Sequence, residues 1–144
     1  MTETTLAPII EYARKLHGHV GPYLVIGLRI GYAAKKALNI GDEEATRLMA
    51  EVSVPLYPPF SCLLDGVQVS TTCTVGNRRL QFKNAKTIKA IFSSQKDVKT
   101  VKITLAKQFS EQLEQKKKQD KLDEAFAWEL AKLPENQLFT IIYS

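Results

Sequence analysis

Residues 22–35, Pro22-Tyr23-Leu24-Val25-Ile26-Gly27-Leu28-Arg29-Ile30-Gly31-Tyr32-Ala33-Ala34-Lys35, are apolar over most of a helical circumference. Proline suits the first turn of a helix, and the pattern predicts a helix over 22–38. It is too short to span a bilayer and carries Arg29 at its centre, so it reads as the buried centre of a globular fold. Gly27, Gly31 and Ala34 share one strip, along which another backbone can approach closely. Two glycines inside a helix cost about 1 kcal/mol each relative to alanine, so the strip calls for a packing reason.

Working outward, Leu6, Ile9, Ile10, Ala13 and Leu16 recur at three- and four-residue spacing, which predicts a preceding helix with those side chains buried. Gly18 is placed to end it. Downstream, a short helix is expected over 42–47 and a β-branched strand over 49–57, stopped by Pro58-Pro59. Ser61 is the expected cap of a helix over 62–70. Val75-Gly76-Asn77 is turn chemistry, and strands follow at 79–83, 87–93 and 100–106, with turns at Asn84-Ala85 and Lys96-Asp97. Helices at 108–119 and 122–133 and a last strand at 137–143 complete one α+β domain, residues 1–144, without repeat or linker.

Composition supports this reading. The chain has 144 residues, 44% hydrophobic and 24% charged, with a net charge of +5. That is long enough for one domain and ordinary for a globular one. The basic runs at 83–89 and 116–118 read as solvated faces, and no nucleic-acid-binding module accompanies them. Residues 1–5 are polar and acidic, unlike a secretory leader. A cytoplasmic protein with no membrane association and with reduced cysteines is therefore expected.

The chemistry is concentrated. Both histidines lie in His17-Gly18-His19, and both cysteines, Cys62 and Cys73, bracket a stretch holding Asp65 and Gln68. Imidazole and thiolate together suit a borderline-soft ion such as zinc. On one unbroken helix the two cysteines would lie ~16 Å apart along the axis, too far to share a metal. Either the chain folds back before Cys73 or one cysteine serves alone. Cys62 is the better candidate, because free N–H groups and the helix dipole at a helix start favour a thiolate. Asp65 is expected as a ligand, as an acceptor for an imidazole, or as an acid/base. Gln68 is placed to bind a substrate polar group. Plainer readings stand beside these: histidines complementing a helix C-terminus, cysteines as small buried hydrophobes, Asp65 as a turn former, and Arg29 snorkelling to solvent.

Two segments carry a family resemblance. Leu16-His17-Gly18-His19-Val20-Gly21-Pro22-Tyr23-Leu24 with Gly27-Leu28-Arg29 resembles the opening motif of the FmdE proteins, a family named after formylmethanofuran dehydrogenase. Ser61-Cys62-Leu63-Leu64-Asp65-Gly66-Val67-Gln68 with Thr72-Cys73-Thr74-Val75-Gly76 resembles their second motif, and the likeness covers most of residues 6–106. It implies a thioredoxin-like α+β core, a mixed sheet of about five strands flanked by helices. It also implies a metal site of His17, His19 and Cys62, with Asp65 as acid/base and Arg29, Gln68 and Cys73 toward a substrate.

The implied cofactor is a divalent metal, zinc in type. The implied partners are oxidoreductase subunits of a molybdenum or tungsten formylmethanofuran dehydrogenase system and a second copy of the chain, as a homodimer. The chain departs from the family pattern at Gly21, where cysteine is common, and at Asn77-Arg78, where lysine is frequent. It has no cysteine after Cys73, so the four-ligand zinc finger of many relatives is not expected. A non-catalytic accessory that delivers metal or pterin is the alternative. Thiol–disulfide exchange is disfavoured by the lack of a Cys-x-x-Cys pair.

Overall fold

The computed structural model describes residues 3–95 and 98–144. Helix α1 spans Glu3–His17 and α2 Pro22–Ala37, followed by a 3-10 turn at Asp42–Arg47. Strand β1 (Leu48–Val54) leads into α3 (Cys62–Thr71), and β2 (Leu80–Asn84), β3 (Lys89–Ser94) and β4 (Thr100–Leu105) follow. The chain closes with α4 (Lys107–Lys118), α5 (Glu124–Leu130), a single turn α6 (Glu135–Leu138) and β5 (Phe139–Tyr143).

The sheet has five strands in the order β2-β1-β3-β4-β5. Only β1 and β2 pair in parallel, joined through α3; the remaining pairs are antiparallel. Within the first four strands β3 alone runs against the others, which is the thioredoxin-like arrangement, and β5 extends it at the β4 edge. One face is apolar. Ala50 lies opposite Phe92, and Phe92 opposite Val101; Val52, Ala90 and Ile103 form the next cross-strand row. The other face carries Glu51 and Thr140 in solvent, so the strands alternate as half-buried strands should.

α2 is the centre of the molecule, touching β4, α3 and α5. Leu24, Ile26, Leu28 and Ile30 are fully buried, each contributing about 1.5–3 kcal/mol of burial free energy. The small-residue strip has its packing reason in α3. A Cβ at Gly27 would lie 2.1 Å from the Leu63 carbonyl oxygen, and one at Gly66 would lie 2.2 Å from that of Leu24. The two helices thus meet backbone to backbone. α3 of the same chain thus covers the strip, which is the backbone the sequence pattern left unnamed.

Other expectations shift in detail. Leu16 is 57% exposed, since α1 ends one residue later and runs past the core. Gly18 closes α1 with φ +101° and an N–H bond to the Arg14 carbonyl. The helix expected over 122–133 is shorter, because Asp123 caps it by accepting from the Phe126 N–H. The 42–47 helix is of the 3-10 type, and β1 stops at Val54 before Pro55. The turn expected at Lys96-Asp97 lies outside the described residues. Among the described residues no helix is long and apolar enough to cross a membrane.

Candidate metal centre

The end of α1, the turn into α2 and the first turn of α3 converge. His17 is the last residue of α1, and His19 lies in the short link before Pro22. Cys62 opens α3, held opposite by the glycine contact between α2 and α3. One ligand atom from each of His17, His19 and Cys62 lies within 4.8 Å of the others. The imidazoles sit with centroids 4.7 Å apart, tilted by 40°.

Around His17 the hydrogen bonds are directional. Its Nδ1 lies 2.6 Å from Asp65 Oδ2. A carboxylate only accepts, so the contact places the proton on Nδ1 and leaves a lone pair on Nε2. That Nε2 is buried and has no hydrogen-bond partner among the described residues. Asp65 Oδ1 accepts from the Gln68 side-chain amide at 3.1 Å. The Gln68 carbonyl oxygen in turn accepts from the Val75 N–H at 3.1 Å. A chain of three side chains thus fixes the His17 imidazole of this group and leaves its Nε2 bare. A buried nitrogen without a partner is costly unless something binds it. The donor set, two nitrogens and a sulfur with a carboxylate behind one histidine, fits a zinc-type ion.

Cys62 differs from expectation in its electrostatics. Ser61 adopts helical backbone angles and makes no side-chain cap bond. The N–H groups of Cys62 and Leu63 are engaged by the carbonyls of Pro59 and Phe60, so the Cys62 N–H gives its own sulfur only a minor, pKa-lowering contact. Burial, and then the nearby Asp65 charge, push the thiol pKa up in the metal-free chain.

Cys73, Arg29 and Gln68 fall elsewhere or serve another purpose. Thr72 turns the chain through a left-handed conformation at the end of α3. Cys73 is thereby carried into the core, where its thiol approaches the Leu48 carbonyl at 3.2 Å. Arg29 is 7% exposed and donates to the carbonyls of Leu130 and Leu133, both at 2.7 Å, closing the end of α5 rather than reaching solvent or the histidines. Gln68 is at the centre, but both ends of its amide are engaged by Asp65 and Val75.

A cleft of about 180 Å³ opens beside His19 and Cys62, bounded by Gly21, Tyr23, Pro59 and Glu124. Glu124 is held by Arg14 at 2.6 Å and by the Trp128 indole N–H at 3.1 Å. These bonds, with a smaller contribution from His19, bring its pKa down to about 2. Sequence patterns gave no sign of Glu124, which lies 110 positions from Arg14. A Cβ at Gly21 would meet only the His19 ring, at 3.9 Å.

Residues 16–140 match the family described as FmdE, molybdenum formylmethanofuran dehydrogenase operon. The chain belongs to the FmdE family. The match runs past the two motifs through α4 and α5 into β5. A tungsten formylmethanofuran dehydrogenase FmdE-like protein from Syntrophus aciditrophicus has a similar solved structure, with a TM-score of 0.64 and 18% identity. The likeness covers 94% of this chain and 69% of that one, and it supports the FmdE fold. A probable S-adenosyl-L-methionine-binding protein of Archaeoglobus fulgidus is 34% identical over 90 residues, 60% of this chain. The matched segment is 24% of that protein, so this FmdE chain spans about a quarter of the curated relative's length.

Proposed function

We propose that this FmdE-family chain binds one divalent metal ion, of the zinc type, through His17, His19 and Cys62. The observation that carries the reading is the buried, unpartnered Nε2 of His17, with its other nitrogen fixed by Asp65. When bound, such an ion supplies Lewis-acid activation of a water or a small oxygen ligand. Asp65 keeps the Nδ1 proton of His17 in place and raises the basicity of Nε2, which makes it a positioning residue rather than a free acid/base. Gln68 orients Asp65. Arg29 and Cys73 serve packing in this proposal, not substrate.

Metal content tests the reading. Protein stripped by chelator and reloaded should take up about one equivalent of zinc. His19→Ala and Cys62→Ala should each lose it, measured by plasma mass spectrometry after dialysis. Full occupancy that survives both substitutions refutes the site.

A second reading draws on the exposure of His19 and on Gly21, which leaves the ion one thiol short of four protein ligands. An exposed, incomplete site suits handing an ion on. The chain would then be a cytoplasmic accessory to a molybdenum or tungsten formylmethanofuran dehydrogenase-type oxidoreductase. Fast zinc release to a competing chelator, with no hydrolytic or redox turnover, distinguishes this from an enzyme. Homodimer formation belongs to the same proposal, with Tyr12 and Leu16 on the exposed face of α1 as the contact surface. Light scattering of the parent against Leu16→Glu tests it.

A further inference from the structure

On the far side of Tyr23 from the metal cleft lies a larger groove of about 570 Å³. That volume is in the range of small-molecule sites. It runs between the β1–α3 connection, the β2–β3 connection and α4. One wall is aromatic. Tyr23 and Phe60 meet edge-on with centroids 5.2 Å apart, and Tyr57 and Phe60 likewise at 5.3 Å. An edge-on contact covers at most one face of a ring, and Tyr57 is 58% exposed, so it keeps an open face. Ile88, Leu105 and Leu113 supply apolar lining.

The rim is cationic. Lys86, Lys89 and Lys117 line the groove against one acidic group, Glu114. None of the three has an ion-pair partner among the described residues. Lys117 Nζ lies 5.1 Å from the Phe60 ring centre, so charge and ring are already side by side. The Tyr23 hydroxyl makes no hydrogen bond among the described residues and borders the groove. Burial, and then Glu114, push its pKa up to about 12, so it stays a proton donor at neutral pH.

We infer that this groove binds a planar aromatic anion, a flat heterocycle bearing phosphate or carboxylate, as in a nucleotide or a pterin. The ring stacks on Tyr57 and turns its edge toward Phe60, whose plane lies at 83° to that of Tyr57, the acid group pairs with Lys117 and its neighbours, and Tyr23 donates to a ring heteroatom. Neither free phosphate nor an uncharged ring uses both halves of the site. The proposal stands apart from metal binding, since none of the three metal ligands lines the groove.

Calorimetry on the zinc-loaded full chain tests it, with AMP, FMN and folate as probes and with adenosine and inorganic phosphate as controls. At least one of the three anionic rings should bind with a submillimolar dissociation constant, and which one does so separates the nucleotide from the pterin source. Tyr57→Ala and Lys117→Ala alter exposed side chains and should each weaken that binding by about fivefold. Zinc content and the unfolding midpoint should stay unchanged. Absence of binding by all three at millimolar concentration overturns the proposal. So does equal binding of adenosine or phosphate alone, or unchanged affinity in Lys117→Ala, a variant that removes nothing from the core.

Discussion

Gly27→Ala probes the contact that holds the candidate centre together. The added Cβ would sit 2.1 Å from the Leu63 carbonyl oxygen and 2.9 Å from its carbon. Relief requires α2 and α3 to part by about 1 Å, and a gap of that size forfeits up to about half of each dispersion contact along the seam. Overpacking costs about 1–3 kcal/mol, and the upper end applies because both colliding groups are backbone and cannot rotate away. Alanine returns about 1 kcal/mol of helix propensity. The net loss is then about 2 kcal/mol, a sizeable share of a typical domain's stability of about 5–15 kcal/mol. In urea the midpoint should fall by about 1 M. Gly41→Ala, where a Cβ meets nothing within 4 Å, should stay within about 0.5 kcal/mol of the parent. Parting the helices also draws Cys62 and Asp65 from the histidines, so the folded fraction of Gly27→Ala should bind zinc more weakly. A Gly27→Ala protein as stable as the parent would refute the reasoning, since propensity would then have outweighed a contact that is not tight.

Asp65→Asn should lower zinc affinity by about 10–100-fold in chelator competition, with the metal-free unfolding midpoint little changed. Gly21→Cys adds a thiol on the side of the His19 ring without backbone strain, at φ −127°. It should tighten zinc binding and strengthen the sulfur-to-cobalt charge-transfer band of the cobalt-substituted protein. The Glu124–Arg14 pair ties α5 to α1, and the folded-state pKa of Glu124 lies below its ordinary 4.5. Its stabilisation is therefore complete above pH 4.5 and is lost as pH falls toward 2. Glu124→Gln should flatten the acid limb of the stability profile over that window.

Local pattern carried much of the fold. The apolar run over 22–35 and the alternating strands marked elements whose burial follows from period alone, and the two glycines pointed to a close helix contact. Which helix fills that contact was not legible, because Gly66 and Leu63 lie more than thirty positions away. A still longer separation divides Arg29 from the carbonyls of Leu130 and Leu133, so a residue that closes a helix end reads in sequence like a substrate ligand. His17, His19 and Cys62 were legible as a donor set. The relay behind them was legible only in part. Asp65 and Gln68 share a helix face, whereas the Val75 N–H reaches Gln68 only because Thr72 reverses the chain. The Cys62 environment departs from expectation for a local reason, since the turn over residues 57–61 consumes the N–H groups that an abrupt helix start would have left open.

Residues 55–61 connect the end of β1 to α3 at the place where the sheet order changes direction, with β2 on one side of β1 and β3 on the other. Open α/β sheets hold ligands at such crevices. Here the one connection supplies Pro59 to the small cleft and Tyr57 and Phe60 to the large groove. Its residues lie outside the strand pairings and the glycine seam, so substitutions there can reshape the lining of both openings while the sheet and the histidine end of the candidate metal centre stay as they are. One seven-residue connection thus sets the walls of both openings without taking part in the sheet.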